Sequence, residues 1–150
     1  MNDVSRPPIK NKILSALSAD ALERLLPSLE RVELPLGTVL HRPDEPISHV
    51  YFPEQAMISV VAYTEKGQGT EVAVIGGEGA SGLAVILGVD STPYENMVQM
   101  PNGGWRIKTE KLNAEFDRNE SLHNLLLHFT QKLIIQISQT ALCNRLHSVE

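Results

Sequence analysis

Glu71-Val72-Ala73-Val74-Ile75-Gly76-Gly77-Glu78-Gly79-Ala80-Ser81-Gly82-Leu83-Ala84-Val85-Ile86-Leu87-Gly88 is the stretch on which the fold assignment turns. A strand-like run, Glu71 to Ile75, feeds a glycine-rich turn, and an apolar segment suited to a short helix follows. Such a cassette can aim backbone N–H groups at an anion. Yet no Lys or Arg occurs from Gly67 through Trp105, and Glu71, Glu78, Asp90 and Glu95 lie inside that window. The backbone has the form of an anion cradle, but the side chains supply no cation.

Upstream of the cassette, Val32, Leu34, Val39, Leu40, Val50, Tyr51, Phe52, Ile58, Val60 and Val61 fall in short runs of strand type. Pro- and Gly-rich breaks separate them: Pro35-Leu36-Gly37, Arg42-Pro43-Asp44-Glu45-Pro46, Pro53-Glu54-Gln55 and Glu65 to Gly69. Short strands at this spacing predict an antiparallel roll or barrel. Val98–Met100 and Trp105–Ile107 read as one more hairpin around Pro101-Asn102-Gly103-Gly104. Residues 1–10 read as a flexible arm. Asn11 is placed to cap a helix over Lys12–Leu17, and Ser18 one over Ala19–Leu26 with Pro27 near its end. Thr109–Phe116 reads as a short helix.

Ser121 to Ser148 holds no Gly and no Pro and opens on a Ser placed to cap a long helix. Leu122, Leu125, Leu126, Phe129 and Leu133 form one apolar stripe, and Ile134, Ile135, Ile137, Ala141, Leu142 and Leu146 continue apolar surface around the other side. A helix apolar on both sides must be covered on both. The roll covers the first stripe, and a second copy of the helix is the simplest cover for the rest. The expected seam is Ile134, Ile137, Ala141 and Leu142 of a homodimer, with Cys143 as a small buried residue beside it; the alternative is a core helix within one subunit. The expected fold class is α+β: an antiparallel double-stranded, jelly-roll-like β-roll over 11–120, N-terminal helices, and a long C-terminal dimerisation helix over 121–150.

The 150 residues, 42% hydrophobic and 21% charged, suffice for one domain with a real core. A net charge of −5 argues against this domain gripping a phosphate backbone, which needs a basic face. One cysteine excludes an internal disulfide framework and suits a reducing, cytoplasmic setting. No apolar run reaches the ~20 residues of a membrane span, and Met1 to Lys10 has no signal-peptide character.

The order of elements, with Glu33-Leu34-Pro35-Leu36-Gly37, His49-Val50-Tyr51-Phe52-Pro53, Glu71 to Gly76 and Cys143-Asn144-Arg145-Leu146-His147, resembles the sensor domain of the catabolite-activator/fumarate-nitrate-regulator (CRP/FNR) family of bacterial transcription factors. The last two stretches are similar to members lacking a cyclic-nucleotide signature. The resemblance implies a DNA-binding helix-turn-helix beyond Glu150. It also implies that nucleotide-binding members hold the ribose with a Glu and the cyclic phosphate with an Arg. Here Gly82 of Ser81-Gly82-Leu83-Ala84 stands at the Glu position, and the Arg step falls around Thr92 to Asn96, with no basic residue. The two clamps would each supply a charge-assisted bond of roughly 1.5–3 kcal/mol, so tight binding of cyclic AMP or cyclic GMP is not expected. Gly79, Ala80, Ser81, Gly82, Leu83, Thr92, Tyr94 and Asn96 remain as a degenerate cassette able to offer neutral contacts to an unknown small-molecule effector.

The five histidines, His41, His49, His123, His128 and His147, contain no His-x-His pair of the cupin type, so no metal or other cofactor is expected. No nucleophile–base arrangement is readable. The expected function is a non-enzymatic sensor and dimerisation module of a CRP/FNR-type regulator. The alternatives are a functional cyclic-nucleotide-binding module and a cupin-like small-molecule enzyme.

Overall fold

The computed structural model describes residues 8–148, with side chains through Leu146. Most of the expected flexible arm, and the side chain of His147, therefore lie outside the described residues. Within that arm, Lys10 donates its backbone N–H to Glu54 Oε2 at 2.7 Å.

The N-terminal helices are short because polar caps and Pro27 bound them. Asn11 Oδ1 accepts from Ile13 N and Leu14 N and starts α1 (Lys12–Ser15). The same fully buried side chain donates through Nδ2 to Pro53 O at 2.7 Å and Gly79 O at 2.9 Å, tying the helix to the roll and to the cassette. Ser18 caps α2 (Ala19–Leu25), and a 3-10 turn containing Pro27 ends it at Ser28.

Seven strands follow: β1 (Leu29–Leu34), β2 (Val39–His41), β3 (His49–Pro53), β4 (Met57–Tyr63), β5 (Gly69–Ile75), β6 (Glu95–Met100) and β7 (Asn102–Lys108). They pair antiparallel in two sheets, ordered β1-β7-β3 and β2-β6-β4-β5. Val50, Phe52, Ile58, Ile75 and Ile107, from both sheets, are buried in one core with Leu14 and Leu25 of the N-terminal helices. This is the antiparallel roll that the short-strand pattern predicts.

The expected hairpin over 98–107 is corrected. β6 and β7 belong to different sheets, so the chain crosses over at Pro101 instead of turning back. Gly103 and Gly104 are not turn residues. β7 is the central strand of its sheet, and a Cβ at Gly104 would stand 2.7 Å from Phe52 O. Gly104 permits close approach of the β3 backbone, a second reason for glycine in a strand, while Gly103 makes room for the Arg31 side chain.

α3 (Thr109–Arg118) and α4 (Glu120–Ser148) complete the chain. The cap of α4 is Asn119, not Ser121. Asn119 N–H closes α3 on Glu115 O at 2.8 Å, while its Oδ1 accepts from Leu122 N at 3.2 Å. Ser121 Oγ instead accepts from Ser18 N at 3.2 Å. The 29 residues of α4 span about 43 Å. Leu122, Leu126 and Phe129 are buried in the core. Gln136 then grips β5, its Oε1 accepting from Val74 N at 2.6 Å and its Nε2 donating to Val74 O at 3.3 Å. Because β5 is an edge strand, one side chain of the helix supplies the pairing that a neighbouring strand would otherwise give.

Candidate sensory pocket

A cavity of about 200 Å³ lies between the cassette, the four-stranded sheet and α4. Its floor is the end of β5 and the turn after it. Gly79 lies beneath Phe129, whose ring a Cβ there would overlap, so glycine is what lets α4 settle onto the turn. Ser81 then bridges to β3: its N–H donates to Tyr51 O at 2.8 Å and its C=O accepts from Tyr51 N at 3.0 Å. Gly82, at φ +102°, swings the chain into the 3-10 helix Leu83–Leu87, and Gly88, at φ +94°, ends it. Both conformations favour glycine, which has no Cβ to strain.

Of the residues expected to form the site, Ala80, Gly82, Leu83, Thr92, Tyr94 and Asn96 line this cavity. Gly79 and Ser81 do not line it. Ser81 is fully buried behind the wall and accepts from Asn96 Nδ2 at 2.7 Å, so it orders Asn96 in place of facing a ligand. Thr92 Oγ1 accepts from Tyr94 N at 3.3 Å, and Thr92 O accepts from Asp44 N at 2.7 Å, which fixes the loop forming the rim. The helix contributes the far wall: Thr130, Leu133, Ile134 and Ile137. Thr130 Oγ1 donates to Leu126 O at 2.8 Å and leaves mainly its methyl for the cavity. No Lys, Arg, Asp or Glu is among the lining residues.

One lining residue lies outside the expected set. His41, at the end of β2, is 7% exposed, and its Nε2 has no hydrogen-bond partner. Its ring meets Tyr51 edge-on, with centroids 5.7 Å apart. It faces Gly82 so closely that a Cβ at 82 would stand 2.9 Å from Nε2. Where the family resemblance leads one to expect a carboxylate, this chain has a bare glycine backed by a neutral imidazole. Burial pushes the His41 pKa down from 6.5 to about 4; the Ser81 backbone opposes that shift without reaching hydrogen-bond geometry at Nε2, and the charge of His49 reinforces it. Among the described side chains the other histidines do not line the cavity: His49 Nδ1 is 2.9 Å from Ser48 Oγ, and His123 stacks on Phe116. Among the described residues no three His, Cys, Asp or Glu side chains are grouped to hold a metal ion.

Of the expected seam residues, Ile134 and Ile137 also line the cavity, while Ala141 and Leu142 lie beyond it along α4. Ile134 and Leu142 are each 53% exposed, Ala141 is exposed and Ile137 is half-buried. Ile135 and Leu146 extend this exposed apolar surface. Cys143 is exposed in the single chain, not buried. No helix among the described residues is long and apolar enough to cross a membrane.

No protein-family model and no curated protein matches the sequence. Solved structures do match. The c-di-GMP responsive global regulator CLP of Xanthomonas campestris superimposes with a TM-score of 0.70 at 18% identity, over 83% of this chain and 63% of that one. The sensor domain of the transcriptional regulator DNR of Pseudomonas aeruginosa gives 0.63 at 20% identity, over 85% and 84%. The regulatory subunit of a cAMP-independent protein kinase A from Trypanosoma brucei gives 0.68 at 16% identity, over 81% and 43%. The chain thus spans under two thirds of the CLP chain, under half of the kinase regulatory subunit and 84% of the DNR sensor-domain chain. Its fold is the cyclic-nucleotide-binding-like β-roll with a long C-terminal helix that these regulatory domains share.

Proposed function

We propose that the chain is a non-enzymatic sensor and dimerisation module of a cytoplasmic bacterial transcription regulator of CRP/FNR type, and that its signal is not cyclic AMP or cyclic GMP. In this reading residues 1–10 are a flexible arm, 11–120 the sensor roll and 121–150 the dimerisation helix. A segment outside the chain reads DNA. The observation that carries the reading is that one helix serves both surfaces. Leu133, Ile134 and Ile137 close the cavity, and Ile134 and Leu142 stand exposed on α4. A ligand that prefers one position of the helix therefore biases the helix pair, by its differential affinity for the two arrangements. A coupling of about 1–3 kcal/mol is enough for regulation.

Two further points support an input other than cyclic AMP or cyclic GMP. The lining has no cation to meet a phosphate and no carboxylate to meet a ribose hydroxyl. The matched structures also include a regulator described as responsive to c-di-GMP and one described as cAMP-independent, so the fold alone does not dictate the ligand. Calorimetric titration with cyclic AMP and cyclic GMP is expected to give no dissociation constant in the low micromolar range. Tight binding of either would replace this reading with the cyclic-nucleotide module.

A further inference from the structure

We propose that His41 is the polar anchor of the sensory pocket, and that the pocket takes a compact, uncharged, largely apolar molecule bearing one hydroxyl group. This rests on the reading of the cavity as a ligand site and adds the chemistry of the ligand.

Four observations converge on it. First, size: a cavity of about 200 Å³ exceeds the roughly 150 Å³ that admits benzene, and it is far from roomy enough to favour a dinucleotide. Second, lining: Val60, Ile75, Leu83, Leu133, Ile134 and Ile137 present hydrocarbon, and charged side chains are absent from the walls, so an ion would lose its hydration without compensation. Third, His41 Nε2 is a buried polar atom with no protein partner, and such an atom carries a cost that a ligand group can remove. Fourth, the residue against Nε2 at the cavity wall is Gly82, where a Cβ would stand 2.9 Å from that nitrogen, so glycine is what leaves room beside the ring.

The hydroxyl follows from the chemistry of imidazole. The neutral ring either donates or accepts at Nε2, depending on its tautomer. A hydroxyl both donates and accepts, so it satisfies either form. A carboxylate only accepts and brings a charge that nothing in the wall neutralises. Burial keeps the ring neutral at physiological pH, which removes any electrostatic reward for an anion.

The test compares 4-methylphenol with p-xylene, which differ by a hydroxyl in place of a methyl, and with 4-methylbenzoate. Binding to the chain is read from chemical-shift changes at Leu83, Tyr94 and Thr130. The phenol is expected to bind roughly fivefold tighter than the xylene, the range set by one hydrogen bond, with the benzoate weaker than both. His41→Leu should level the phenol and the xylene while retaining xylene binding, and His41→Gln should restore part of the preference. Equal binding of phenol and xylene to the wild type would overturn the role of His41 and leave the sensory pocket standing. Benzoate binding as tightly as the phenol would overturn the uncharged class. Failure of all three to perturb the lining residues would overturn the pocket reading as well.

Discussion

The two halves of α4 are similar in composition and opposite in circumstance. From Leu122 to Phe129 one apolar stripe is covered by its own roll: Leu122 and Leu126 are fully buried and Phe129 is 6% exposed, while Leu127, at 39%, faces away from it. From Ile134 to Leu146 the same kind of side chain is left in solvent, with Ile134, Ile135, Leu142 and Leu146 between 49% and 62% exposed. A helix buries only as much apolar surface as its neighbours reach. The roll reaches the first half and stops near Gln136, which holds the β5 edge. Burial in the first half stabilises the fold, and the second half keeps its apolar surface available for association.

Breaking the first half should be costly. Leu126→Ala removes a fully buried side chain and is expected to lower unfolding free energy by about 2–5 kcal/mol, measured by urea denaturation. A loss below about 1 kcal/mol would mean the helix is not docked as described.

Acid should act on the roll beside the first half. The folded-state pKa of His41 lies near 4, below its ordinary 6.5. Between these values the unfolded chain takes up a proton that the folded chain refuses. The His41 contribution is therefore fully present above pH 6.5 and is lost as pH falls toward 4, up to about 3 kcal/mol. Denaturation midpoints should fall across that window, and His41→Leu should flatten this part of the profile.

The junction between the halves should show an intermediate effect. Gln136→Leu leaves the backbone N–H and C=O of Val74 without the helix. The expected loss is about 1 kcal/mol, with faster amide exchange at Val74. An unchanged exchange rate would show that water replaces the clamp freely. Leu142→Ala should have the smallest effect on a single chain, within about 0.5 kcal/mol, when measured at a dilution that separates copies.

The same contrast marks what could be read from the sequence. The strands of the roll were legible from period-two runs between Pro and Gly breaks, and α4 from an uninterrupted helical stripe. The crossover at Pro101 was not, because Gly103-Gly104 reads locally as a turn, and only the packing of β7 between β1 and β3 shows why glycine stands there. Asn119 was missed as a cap because Ser121 is an equally good candidate by residue type. In the pocket, the cassette residues were legible from their glycine spacing, but Ser81 was assigned to the ligand face although its partners are Tyr51 and Asn96. His41 left no signal beyond the alternation of β2. Its character comes from burial and from the glycine it faces across 41 residues of sequence, and neither is written locally.

In the proposed reading the exposed half of α4 is an interface between two copies of the chain. Sedimentation velocity at micromolar concentration tests it directly, with wild type beside Leu142→Glu. A species of about twice the 16.5 kDa chain mass is expected for the wild type and a monomer for the variant. A wild-type monomer throughout that range, or a dimer unaffected by Leu142→Glu, would overturn the dimer reading.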